Sequence, residues 1–202
     1  SESTECKHGL FGVLIVEPPN TTWTDPETGG NLKSGFSADI HNPFLPDFRE
    51  FVVFFHGEVF IKDKLGNIPV NPLTGLPDST FAINYRSEPF RNRLRLLETG
   101  KAHGVGAEVY HDSWVFGDPA TPVFRTYRGD PVRFYVINMS SDQAHAFHLH
   151  GHSCYLSKQG VNLPDTIFLD PLQMVVFDLK HGTGDLCNAV GDFLFHCCLY
   201  TH

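Results

Sequence analysis

At 202 residues with a formal net charge of −8, the chain has the length of one large domain, and its charge argues against a nucleic-acid partner, which needs clustered Lys and Arg. The composition, 41% hydrophobic and 19% charged with 18 Phe, is that of a globular protein. No apolar run approaches the length of a membrane-crossing helix, and the opening residues Ser1 to Glu5 lack the basic and apolar regions of a signal peptide.

Along the chain, Gly12 to Pro18 is β-branched and apolar until Pro18 and Pro19 stop it, which predicts a strand. Residues 19–36, rich in Pro, Thr, Gly and Asn without an apolar period, predict a linker. Arg49 to Ile61 predicts a long strand or strand pair, followed by a looped region broken by Pro69, Pro72, Gly75 and Pro77. A short helix is expected within Asn84–Leu97, after Pro89. Strands are expected at Ala107–Tyr110, Val123–Tyr127 and Val132–Asn138, with a turn at Arg128–Pro131 between the last two. Others are expected at Ala146–Leu156, Thr166–Leu169, Gln173–Leu179 and Asp192–Cys197. Short strands at regular spacing, punctuated by Gly and Pro and not alternating with long helices, predict an all-β antiparallel Greek-key sandwich or barrel.

The five Cys are an odd number. Cys197 and Cys198 are adjacent and poorly placed to bridge each other. For Cys154 and Cys187, a disulfide in an oxidising compartment and a pair of buried free thiols are both open. Asn20-Thr21-Thr22 and Asn138-Met139-Ser140 fit the N-glycosylation acceptor pattern, which matters in a eukaryotic secreted protein.

Two segments carry the chemistry: A-H-A-F-H-L-H-G-H at 144–152 and H-C-C-L-Y-T-H at 196–202. Side chains alternate faces along a strand, so His196 and Cys198 share one face and Cys197 takes the other. Cys197 is expected to join His202 and His145 in a His2Cys set, the donor set of a blue-copper site. On the opposite face His196 is expected to meet His148 and His150, whose period of two puts them together. His8, His41, His56, His103, His111 and His181, standing apart from these clusters, are expected to be core residues. Zinc also accepts His and Cys, but the paired C-x2-C or H-x3-H spacings of structural zinc sites are absent, so copper is favoured.

Those motifs resemble the multicopper oxidases, whose pattern is H-P-x-H-L-H-G-H followed some tens of residues later by H-C-H-x3-H. Here His145-Ala146-Phe147-His148-Leu149-His150-Gly151-His152 has Ala in place of the usual Pro. Arg128 to Phe134 and Gly191 to Cys197 resemble the family's flanking strands. The resemblance implies a cupredoxin-like sandwich or barrel over 37–202, preceded by a linker at 19–36 and, at 1–18, the final strand of a preceding cupredoxin domain. It implies a type 1 copper on His145, Cys197 and His202, with His148 serving a type 2 copper and His150 and His196 a type 3 pair. His152 would orient neighbours by hydrogen bonding. Cys197 and His196 would carry electrons from the type 1 site to a trinuclear cluster shared with another domain or subunit, where O2 becomes water. The reducing substrate would be a phenol or a metal ion, and the location extracytoplasmic, secreted or periplasmic.

Cys198 stands where the family has a second type 3 His, and as a soft ligand it suits Cu(I). Only one H-x-H pair of the ligand pattern is present, and the axial Met or Leu lies beyond His202. The chain is therefore expected to be an excerpt of a larger protein. A second reading is a copper-binding electron-transfer or structural domain with a degenerate cluster and no O2 chemistry. A copper nitrite reductase would share the fold, but the H-L-H-G-H run argues against it.

Overall fold

The computed structural model describes residues 5–6, 8–59, 62–68, 70, 80–87, 91–101, 113–117, 120–156 and 160–199. Its strands are β1 (Thr22–Thr24), β2 (Ser37–Asn42), β3 (Leu45–Val59), β4 (Thr80–Ile83), β5 (Val132–Asn138), β6 (His145–Leu149), β7 (Cys154–Leu156), β8 (Val161–Leu163), β9 (Thr166–Leu169), β10 (Met174–Leu179) and β11 (Phe195–Cys197). Two short helices, α1 (Arg91–Glu98) and α2 (Ser113–Phe116), lie between β4 and β5. The fold is all-β. An eight-stranded sheet runs β1-β2-β3-β5-β10-β7-β8, with β4 also paired to β3, and a three-stranded sheet runs β11-β6-β9.

The near-continuous apolar run of β3 exists because both of its faces are covered. Phe51, Val53 and Phe55 point inward with Val132, Phe134 and Val136 of β5 and Phe177 and Leu179 of β10. They meet Phe147 and Leu149 of β6 and Ile167 and Leu169 of β9, so the core lies between the two sheets. The alternate residues Val52, Phe54, Tyr135 and Ile137 point outward and are covered by Phe11 and Ile15. β3 and β5 pair in parallel, Phe51 against Phe134 and Val53 against Val136, and the stretch between them supplies the crossover that such a pair needs.

The N-terminal segment departs from expectation. Residues 10–18 form no ladder; they lie across the outer face of the large sheet. Phe11 stacks on Tyr85 with ring centroids 4.7 Å apart and meets His56 edge-on. Leu10, Leu14 and Val16 are exposed, so the alternation that predicts a strand is real but has no strand partner among the described residues. The segment expected to be a linker contains β1, which pairs antiparallel with β2. Val123–Tyr127 forms no ladder, and Ala107–Tyr110 lies outside the described residues. The expected strand Ala146–Leu156 is two strands in different sheets, broken at Gly151, whose φ of 69° marks a left-handed turn. Asp192–Cys197 shortens to β11.

Of the isolated histidines, His56 is a core residue, and burial holds its pKa below the ordinary value. His8 is exposed, and His41 and His181 are surface partners of Asp47 and Asp185, so for these three the expectation of a core role fails. His103 and His111 lie outside the described residues. All five cysteines are free, Cys154 buried and Cys187 exposed, so the disulfide alternative is not realised.

Beneath the N-terminal segment, the Tyr135 hydroxyl lies 3.1 Å from Glu17 Oε1 and 3.0 Å from Glu50 Oε1. One phenolic proton cannot serve two carboxylates, and a proton on Glu50 completes the set. Burial pushes the Glu50 carboxyl up to about 7; the bond from Tyr135 opposes this and the Glu17 charge adds to it. The folded chain thus prefers Glu50 protonated. That advantage is complete below the ordinary value of 4.5 and is lost as pH rises through about 7. Glu50→Gln, uncharged throughout, is expected to flatten the decline and to exceed the parent in stability at pH 8 by on the order of 1–3 kcal/mol. Urea unfolding at pH 5 and pH 8 checks this; an unchanged decline in the variant contradicts it.

Candidate metal centre

The small sheet carries the histidine segments back to back. Antiparallel register sets His196 opposite His148 and Cys197 opposite Phe147. Directly opposed residues share a face, so Cys197 turns toward the core side with Phe147, and His196 turns outward with His148.

On the inner side, His145 is buried at 2% exposure and stacks on Phe55, with centroids 5.2 Å apart and planes at 12°. Its Nδ1 lies 3.4 Å from Cys197 Sγ. The Ala146 N–H donates to the same sulfur at 3.3 Å, a contact that favours electron density on it. One imidazole nitrogen and one sulfur therefore converge at the edge of an aromatic core. His202, the third expected donor, lies outside the described residues.

On the outer side, the ligating atoms of His148, His150 and His196 all lie within 4.8 Å of one another. His148 Nδ1 is 2.8 Å from the Asp165 carbonyl, and His196 Nδ1 is 2.9 Å from the Cys197 carbonyl. A carbonyl only accepts, so each Nδ1 carries the ring proton, and in the neutral ring Nε2 presents a lone pair. This pattern of backbone acceptors behind imidazoles is what orients metal-ligating histidines. His150 Nε2 lies 3.0 Å from His196 Nε2 and donates to it, a proton that a metal ion would displace. The three rings, drawn from β6, the turn after it and β11, form a compact all-nitrogen donor group near the surface.

Cys198 shares this outer side, where its N–H donates to the Ala146 carbonyl at 2.9 Å. Its sulfur is 4.0 Å from His196 Nδ1, behind the ring rather than among the three ligating atoms. Burial pushes its thiol above the ordinary value, against a bond from Thr166.

His152, fourth in the run, is no ligand in this arrangement. The Gly184 N–H donates to its Nε2 at 3.0 Å, so its proton sits on Nδ1, which donates to the His150 carbonyl at 2.9 Å. Both nitrogens are used, and the ring packs edge-on against Phe193. Gly184 can approach because it has φ of 89°; a Cβ there would meet the Ala189 carbonyl oxygen at 2.6 Å. His152 thus ties the exposed His150 to the loop around Gly184. His152→Phe is expected to weaken metal binding at the three-histidine group by roughly 10–100-fold while leaving the Cys197 side unchanged. Zn(II) competition titration measures it, and equal affinity in parent and variant contradicts it.

Sequence reading missed Ser140 and Asn138, both buried, with Ser140 Oγ 3.0 Å from His145 Nε2 and Asn138 bonded to Ser140. The only signal they left was the pattern read as a glycosylation acceptor. Asn138 is 0% exposed, with Nδ2 donating to the carbonyls of Gln143, Leu169 and Asp170, so no glycan can be attached there in the fold.

Residues 103–202, which contain both histidine segments, match the family model described as multicopper oxidase. This part of the chain belongs to the multicopper oxidase family. Its two-sheet fold is accordingly of the cupredoxin-like class, and the metal of its family is copper. Two solved structures are similar to this multicopper oxidase domain. One is the McoA multicopper oxidase from the hyperthermophile Aquifex aeolicus, at 14% identity and a TM-score of 0.38, covering 73% of this chain and 25% of that one. The other is the blue copper oxidase from Nitrosomonas europaea, at 15% identity and a TM-score of 0.41, covering 86% of this chain and 52% of that one. The chain therefore spans about a quarter and about half of the length of these two structures. No curated protein matches it. No described helix is long and apolar enough to cross a membrane.

Proposed function

We propose that this multicopper oxidase domain supplies the electron-accepting copper site and one part of the oxygen-reducing cluster of a larger oxidase. The observation that carries this reading is the pairing of two donor sets across one strand pair. His145 and Cys197 converge on one side at 3.4 Å, and His148, His150 and His196 converge within 4.8 Å on the other. In this reading His145 and Cys197, with His202, hold a type 1 copper. His148 serves a type 2 copper, and His150 and His196, with Cys198 in the position of a further ligand, serve a type 3 pair completed by another cupredoxin domain or subunit. Copper supplies one-electron redox chemistry, and the family couples four one-electron oxidations of substrate to the reduction of O2 to water.

The residues around these sets have separate tasks. Cys197 and His196 are adjacent along β11 and so form the covalent link between the two sides. Phe55 covers the buried ring of His145 and keeps water from the inner set. The carbonyls of Asp165 and Cys197 hold the outer rings with their Nε2 atoms exposed to a metal ion. The substrate class is a phenol or a metal ion such as Fe(II) or Mn(II), and the location extracytoplasmic. In this reading residues 37–202 form the copper-binding domain, with β1 added to the edge of its large sheet and Phe11 and Ile15 packed on that sheet's outer face.

Cys198 favours a second reading, a copper-binding electron-transfer domain without O2 chemistry. A thiol behind His196 takes the position of an imidazole that a complete type 3 pair would use. Copper content and O2 consumption with a phenolic dye, measured on the full-length protein, separate the two. A full complement of copper with O2 uptake supports the oxidase. About one copper per chain, a thiolate band and no O2 uptake support the second reading.

A further inference from the structure

The Asn138-Met139-Ser140 triplet has another use in the fold. Asn138 Oδ1 accepts the Ser140 N–H at 2.9 Å, while its Nδ2 is held by three backbone carbonyls. Ser140 is thereby fixed at 2% exposure, and its Oγ accepts the Gly57 N–H at 2.8 Å. The same Oγ lies 3.0 Å from His145 Nε2. The chain comes this close only because residue 57 lacks a side chain: a Cβ on Gly57 would sit 2.8 Å from Ser140 Oγ.

We propose that Ser140 is a positioning residue for the metal ligand His145: its hydroxyl oxygen accepts the Nε2 proton of the ring and so turns the Nδ1 lone pair toward Cys197 Sγ. This rests on the reading of His145 and Cys197 as a soft-metal donor pair. A hydroxyl oxygen has two lone pairs, one for the Gly57 N–H and one for His145 Nε2–H. In the opposite arrangement Ser140 donates to Nε2, and the ring proton lies on Nδ1, 3.4 Å from the sulfur, where it blocks coordination. The Gly57 and Asn138 bonds aim the Ser140 oxygen, and the Ser140 oxygen selects the tautomer. The ligand class is a single soft metal ion, Cu(I) being the appropriate probe.

The test uses the full-length protein, with Cu(I) competition for the inner pair and Zn(II) for the outer histidines. Ser140→Ala is expected to weaken Cu(I) binding by roughly 10–100-fold and leave Zn(II) binding unchanged, with Ser140→Thr restoring the Cu(I) affinity. Gly57→Ala, which displaces the oxygen but keeps it, is expected to weaken Cu(I) binding in the same direction. Nitrogen NMR of the metal-free protein is expected to show His145 shifting from the Nε2–H toward the Nδ1–H form in Ser140→Ala. Unchanged Cu(I) affinity and an unchanged tautomer in Ser140→Ala overturn the proposal while leaving the metal site standing. Cu(I) binding in the parent that Cys197→Ser leaves intact overturns the reading beneath it. If Ser140→Ala loses Zn(II) binding as well, Gly57→Ala and the parent's own tautomer decide; a parent with Nδ1–H when loaded with Cu(I) overturns the proposal.

Discussion

Cys197→Ser is expected to abolish the thiolate-to-copper absorption of the full-length protein and to leave the outer histidine group able to bind metal. Cys197 Sγ lies 3.4 Å from His145 Nδ1 and also receives the Ala146 N–H. Serine keeps the shape and a weak acceptor but removes the soft donor that Cu(I) prefers. The loss of Cu(I) affinity should exceed the roughly 10–100-fold that a change behind a ligand costs. Substrate oxidation should fall to background, because in the proposed function the inner pair is where electrons from substrate enter. Competition titration and visible spectroscopy check both parts; a retained band contradicts the assignment of Cys197.

Cys198→His is expected to act in the other direction. Residue 198 lies two positions beyond His196 on the same outer side, and its backbone is pinned by the bond from its N–H to the Ala146 carbonyl. The Cys198 thiol reaches only the rear of the His196 ring. An imidazole is longer and carries its donor nitrogen farther from the backbone. The variant should therefore raise metal uptake on the outer side, with a gain in affinity of about tenfold or more, in line with adding one imidazole to a nitrogen donor set. If copper count and oxidase activity are the same in parent and Cys198→His, residue 198 is not part of the cluster and the strand-face assignment of that position fails.

Much of the arrangement was legible because the chemistry follows strand parity. His148, His150 and His196 on one side and Cys197 and His145 on the other follow from a period of two plus one antiparallel register. β5 and β9 fall at Val132–Asn138 and Thr166–Leu169, as their β-branched and aromatic runs predict. The failures share a physical cause, which is information held in distant pairing. Gly12–Pro18 alternates like a strand, but a ladder requires a partner that local sequence does not name. Ala146–Leu156 reads as one strand, because the break depends on Gly151 taking a left-handed turn where a Cβ would sit 3.0 Å from the Phe193 ring. The role of Ser140 depends on Gly57, far away in the chain, approaching within hydrogen-bond distance. Cys198 was readable as a replacement for an imidazole, but the direction of its sulfur was not.

In the proposed function one strand pair, β6 and β11, carries two donor sets on opposite sides. Copper content counted together with the thiolate-to-copper absorption band, in the full-length parent and in His148→Ala, tests it most directly. His148→Ala is expected to lose copper from the outer histidines while the band keeps its intensity. A band that disappears together with the outer copper, or a copper count that does not change, would contradict it.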